Sequence, residues 1–144
     1  MKANAARFHL LLSILIGGVW VFHGLFSKIL GGIPRHRQIV GAILGEGVAD
    51  VATIVIGTLE ILLGVWVFTG RWRRLCASVQ TLAIVSMNTL EIALARALLI
   101  SAPGMVVLNG AFLAVIWYWA LTGSNPPAKN RTRRKAQQGS AKPS

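Results

Sequence analysis

The chain has 144 residues, a length that suits one domain. Hydrophobic residues make up 54% and charged residues 13%, where a soluble domain carries roughly 25% charge; with a mean hydropathy of +0.62 this excludes an ordinary soluble fold. The net charge of +11 comes from 15 Lys and Arg against 4 Asp and Glu, and these lie between and after the apolar runs rather than along one polar face. That distribution points to a membrane surface and its anionic headgroups, not to nucleic acid. The single cysteine, Cys76, excludes an internal disulfide and any CxxC motif.

A membrane-crossing helix needs about 20 mostly apolar residues. Four such runs occur, at about 8–30, 49–69, 75–100 and 105–122, and they predict an all-α integral membrane protein, an antiparallel four-helix bundle. The first follows Lys2 and Arg7 as a signal peptide would, but it is longer than a secretory apolar region and has no small-x-small cleavage site, so it reads as an uncleaved span. After Gly31-Gly32-Ile33-Pro34 comes a polar stretch with Arg35, His36 and Arg37, then the mildly apolar Gln38–Gly47, expected to be a short interfacial helix. Gly70-Arg71-Trp72-Arg73-Arg74 is a tight connection, and Pro103-Gly104 marks a break before the last span. The transmembrane domain covers residues 1–122. The tail, 123–144, has Pro126-Pro127, six Lys or Arg and no large apolar residue, and is expected to be disordered.

Four spans place both termini on one side. That side gathers 11 basic residues and the other only Lys28, Arg35, Arg37 and Arg96, so the positive-inside rule puts the termini in the cytoplasm and the protein in the cytoplasmic (inner) membrane. Trp66, Trp72, Trp117, Tyr118 and Trp119 are expected near the cytoplasmic interface. The basic tail is expected along anionic lipid.

Three stripes of small and polar residues run through the spans in steps of 4, 3, 4, 3, 4: Ser13, Gly17, Trp20, Gly24, Ser27 and Gly31; Glu46, Asp50, Thr53, Gly57, Glu60 and Gly64; Ala77, Thr81, Ile84, Asn88, Glu91 and Ala95. Such spacing puts each set on one helix face. For the glycines and serines, close helix packing accounts for the pattern. The ionisable members ask for more, because a carboxylate at the bilayer centre costs about 2.5–3.5 kcal/mol on insertion scales and needs a partner or a proton. Glu60 lies near the middle of its span. Glu91, Asn88, Asn109, His23, Lys28 and Arg96 fall in the outer half, with Glu46 and Asp50 at the mouth. At α-helical spacing His23 and Lys28 flank the Gly24/Ser27 stripe on opposite sides. Three readings of this convergence stay open: a buried ion-pair network that fixes helix register, a cavity for a small polar or quinone-like ligand or for protons, or a contact with another subunit.

Several chemistries are excluded. A haem held within the chain would want histidines on facing helices at similar depth, and the last three spans contain none. His9 and His23 are 14 residues apart, about 21 Å along a helix, too far to share a metal. There is no HExxH, P-loop or GxGxxG after a strand. Cys76 reads as a small buried residue, and His9 and His36 as interfacial.

In Gly24-Leu25 with Lys28, the Pro34–Arg37 loop, Ile56-Gly57-Thr58-Leu59-Glu60-Ile61-Leu62-Leu63-Gly64, Gln80-Thr81, Met87-Asn88-Thr89-Leu90-Glu91 and Asn109, the chain resembles the DoxX-like membrane proteins over about residues 8–122. The Gly-x-x-Glu-x-x-x-Gly pattern is the most specific of these. The resemblance implies a four-span bundle in the cytoplasmic membrane, acting as a small subunit or accessory of a quinone-linked redox complex, since the family is named after the small subunit of an archaeal thiosulfate:quinone oxidoreductase. It carries over no catalytic residue. Any electron carrier is then the quinone itself or belongs to a partner. A small proton-coupled transporter acting as a dimer, with Glu60 as coupling acid, and a non-catalytic scaffold or assembly factor are the alternatives. In each case a homo-oligomer or a membrane complex is expected.

Overall fold

A computed structural model describes residues 2–122; the expected tail, 123–144, lies outside the described residues. Four long helices account for the apolar runs. Helix α1 (Lys2–Val21) continues without a break into a π-helical segment (Phe22–Ile29); α2 is the short Pro34–Leu44; α3 is Ala49–Thr69, α4 is Arg73–Leu94 and α5 is Ala102–Thr122. Single 3-10 turns, Glu46–Val48 and Arg96–Leu98, precede α3 and follow α4. The four long helices are long and apolar enough to cross a membrane, and leucine, isoleucine, valine and phenylalanine side chains cover their outer faces. With nothing but lipid outside, every backbone group must be satisfied within a segment, and helices do this.

The ends differ from expectation at several places; the first helix already runs from Lys2 rather than from about 8, and the short helix ends at Leu44 rather than at 47. The third span stops at Leu94 rather than 100, because Ala95 leaves helical geometry (φ −128°), so Arg96 stands beyond the helix. The fourth begins at Ala102: Pro103 occupies the first turn, where its missing N–H is no loss, and the Ser101 hydroxyl accepts the Gly104 N–H at 3.1 Å. The interfacial helix begins at Pro34, four residues before the predicted start, again with proline in the first turn.

The first two stripes are packing faces over most of their length. Gly17, Trp20, Gly24 and Ser27 of the first, and Thr53, Gly57, Glu60 and Gly64 of the second, are all buried. Glycines set the distance between α1 and α3: a Cβ added at Gly57 would stand 2.7 Å from the Gly24 carbonyl oxygen, so the backbones touch only because neither residue has a side chain.

The two halves of the bundle are built differently. Around the α3–α4 turn, Ile16, Val67, Cys76, Ala77, Ile116 and Trp119 form an apolar core continuous with Trp20 and Ile84. Its polar groups are paired: Trp119 Nε1 donates to Ser13 Oγ at 2.8 Å, Trp20 Nε1 to Gln80 Oε1 at 2.7 Å, and Trp117 Nε1 to Thr81 Oγ1 at 3.0 Å. Trp119 is therefore a wholly buried core residue, whereas Trp72 in the turn is 71% exposed. Cys76 is wholly buried, as expected. The opposite half, under α2, holds the polar residues and a cavity.

Candidate functional site

The cavity is a chamber of about 220 Å³ in the α2 half of the bundle. Its polar lining is His23 and Lys28 from the π-helical segment, His36 from α2, Glu60 from α3, Asn88 and Glu91 from α4, and Asn109 from α5. Trp20, Ile84, Met87, Met105 and Phe112 supply apolar wall. Six of the nine residues singled out from the sequence thus meet in one place. Three do not. Arg96 is exposed in its 3-10 turn. Glu46 and Asp50 lie outside on the surface, where Arg37 binds both: its Nη1 donates to Glu46 Oε2 at 2.9 Å and its Nε to Asp50 Oδ1 at 2.5 Å. These contacts tie α2 to the start of α3, and the two carboxylates hold the Arg37 guanidinium in its charged form.

Lys28 and Glu60 form the centre. Lys28 Nζ donates to Glu60 Oε1 at 2.7 Å and to Oε2 at 2.8 Å, with the side chains 5% and 6% exposed. The close approach of Gly24 and Gly57 is what brings the two side chains together: a Cβ on Gly57 would also come within 3.1 Å of Lys28 Cβ. A buried charge needs such a partner, and here each charge satisfies the other.

The π-helical segment corrects the expected geometry of His23 and Lys28. At 100° per residue, five positions leave two side chains well apart around the axis. In a π-helix the bonding step is itself five residues, so side chains five apart share a face. The Leu30 N–H accordingly reaches the Leu25 carbonyl at 2.8 Å, and Gly31, at φ +66°, ends the helix. The wide turn places both His23 and Lys28 on the chamber. Single π-turns in long helices are frequent at functional sites.

His36 is the residue the sequence reading missed. It stands against His23, ring centroids 5.8 Å apart, and lines the chamber instead of the membrane surface. Burial first, and then the positive charge of Lys28, push its imidazole down to about 4, so it is neutral at physiological pH. Its Nδ1 is buried and has no hydrogen-bond partner among the described residues. The signal was in the spacing: His36, Ile39, Val40 and Ile43 follow i, i+3, i+4, i+7, one face of a helix that begins at Pro34. Ile39 and Val40 on that face are buried.

Across the chamber, Asn109 Nδ2 donates to Asn88 Oδ1 at 2.7 Å, joining α5 to α4. Glu91 is half-buried and has no ion-pair partner among the described residues. No three or more His, Cys, Asp or Glu side chains among the described residues are grouped so as to hold a metal ion. The arrangement combines one buried ion pair, two adjacent histidines, an amide pair and a carboxyl group without a cation of its own.

The model of the DoxX-like family matches residues 17–117. That range takes in every residue lining the chamber. No curated protein and no solved structure matches the chain. The chain belongs to the DoxX-like family, as a membrane protein with four spans.

Proposed function

We propose that this DoxX-like membrane protein binds the head of a quinone in the chamber around Lys28 and serves as a small subunit or accessory of a quinone-linked redox complex. One observation carries the reading: a buried Lys28–Glu60 pair and the adjacent rings of His23 and His36 line one ring-sized cavity. An apolar cavity of about 150 Å³ accommodates a benzene ring, so a chamber of about 220 Å³ has room for one substituted ring.

The residues present fit such a ligand. An ammonium group has three donors, and Glu60 takes two from Lys28, leaving one for a carbonyl oxygen. Asn88 accepts from Asn109 and keeps its own amide hydrogens for a second oxygen. Trp20 and Phe112 offer flat apolar surface. A bound quinone supplies the electron-accepting ring, and the electrons come from a partner's carrier. The roles left to this chain are to hold Lys28 charged through Glu60, to orient the ring, and to hold or pass a proton at the Glu91 carboxyl group. The same reading places the protein in the cytoplasmic membrane with both termini inside, by its basic bias, and the tail on anionic lipid. Transport with Glu60 as a lone coupling acid has less support, because Lys28 occupies both of its oxygens.

The test is mass spectrometry of the protein extracted from its own membranes in mild detergent. Quinone at near-unit stoichiometry, lost in Lys28→Met and retained in Glu46→Gln, is the expected result. A bare protein, or quinone equally abundant in both variants, overturns the proposal.

A further inference from the structure

A second, smaller cavity of about 100 Å³ adjoins the chamber and shares Lys28, His36, Met87 and Glu91 with it. Beyond those four the walls change character: Ile39, Val40, Ile43 and Leu44 of α2, Ile56 of α3 and Leu90 of α4 are all aliphatic. The slot lies between α3 and α4 under α2. Leu44 and Leu90 at its rim are 55% and 45% exposed, facing where lipid would be. The polar chamber and the apolar slot thus share a wall, which includes the flexible thioether of Met87.

We propose that the ligand is a long-chain amphiphile whose polar ring sits in the chamber and whose hydrocarbon chain leaves through this slot into the bilayer between α2 and α4. This rests on the quinone reading above and adds the chain and its route. The argument is one of continuity and chemistry. A headgroup without a chain has no use for an aliphatic annex sharing four of its residues. Conversely, a ring that enters from the membrane must trail its chain through an apolar opening, and this slot runs from residues of the chamber wall to the exposed Leu44 and Leu90. The role of α2 follows: its inner face carries the polar contact, His36, at one end and the chain-lining residues Ile39, Val40 and Ile43 after it.

The test compares two probes on the full chain in detergent: a decyl-substituted benzoquinone and the same ring without a chain. Binding is read as quenching of Trp20 emission, identified by its loss in Trp20→Phe. Ile43→Phe fills the slot and leaves the chamber residues in place; Leu90→Phe does the same from α4 should Ile43→Phe not fold. The expected result is that the decyl probe binds at least tenfold more weakly to the slot variant while the chainless ring binds as to the unmodified protein. If both probes bind the unmodified protein and the slot variant treats them alike, the chain does not use the slot and the inference fails while the quinone reading stands. If neither probe binds the unmodified protein, the quinone reading fails and takes the chain with it.

Discussion

Replacing Lys28 by Met strands the Glu60 carboxylate, and the structure sets the size of the effect. The pair is joined at 2.7 and 2.8 Å with side chains 5% and 6% exposed, a burial at which removing one partner costs about 3–5 kcal/mol. An independent ceiling comes from protonation: at pH 7 a stranded carboxylate can shed its charge by binding a proton, which from an ordinary glutamate value of about 4.3 costs about 3.7 kcal/mol at 1.36 kcal/mol per unit. The lower bound of the first range and this ceiling together give about 3–4 kcal/mol. The ceiling falls by about 1.4 kcal/mol per unit of acidification, leaving about 1 kcal/mol at pH 5. The sign follows from linkage: in the variant the folded state holds a proton that the unfolded state releases, so stability falls as pH rises. The double variant Lys28→Met/Glu60→Leu removes both charges and should lie within about 1 kcal/mol of the unmodified protein. Reversible unfolding in mixed micelles, followed by tryptophan emission at pH 7 and pH 5, reads all of this. A Lys28→Met penalty below about 1 kcal/mol at pH 7, or a double variant as unstable as the sum of the singles, would refute the reasoning.

Gly57→Ala should cost about 1–3 kcal/mol in the same assay, because the new methyl group meets the Gly24 carbonyl and Lys28 Cβ; Gly18→Ala, with open space around it, should be neutral. His36, with a value of about 4 in the folded protein and about 6.5 in the open one, makes docking of α2 weaken as pH falls through that window, since the undocked form binds the proton more readily. Hydrogen exchange of α2, corrected for intrinsic rates, should therefore speed up between pH 7 and pH 5 in the unmodified protein and not in His36→Gln. Arg37→Gln frees Glu46 and Asp50 on the surface. It should raise exchange in α2 with little change in the midpoint of global unfolding, and high salt should mimic it in the unmodified protein.

The spans were legible because apolar length is a one-dimensional signal, and the Ala49–Thr69 boundaries follow from it directly. The stripes were legible because a 4, 3, 4 step marks a helix face whatever the partner. From these two readings Glu60, Glu91, Asn88, Asn109, His23 and Lys28 converge on one half of the bundle, and the structure brings them to one chamber. What was not legible depends on departures from regular geometry. The π-helical turn at Phe22–Ile29 changes the angular step, so α-helical spacing sent His23 and Lys28 to opposite sides. Helix α2 begins at Pro34, four residues before its apolar stretch, and that shift hides the face linking His36 to Ile39, Val40 and Ile43. Glu46 and Asp50 sat on the right stripe but past the end of the packed interface, where Arg37 holds them at the surface. Trp119 is core through side chains of neighbouring helices, Ile16, Val67, Cys76 and the Ser13 hydroxyl, which its place near a span end does not announce.

The most direct measurement is photo-cross-linking of a photoactivatable quinone analogue to the protein in native membranes, with the labelled peptides identified by mass spectrometry. The account predicts saturable labelling, competed by unmodified quinone, on the peptide carrying His23 to Lys28 and on that carrying Met87 to Glu91. Labelling confined to outward-facing residues such as Val107 and Leu108, and undiminished by competitor, would contradict it.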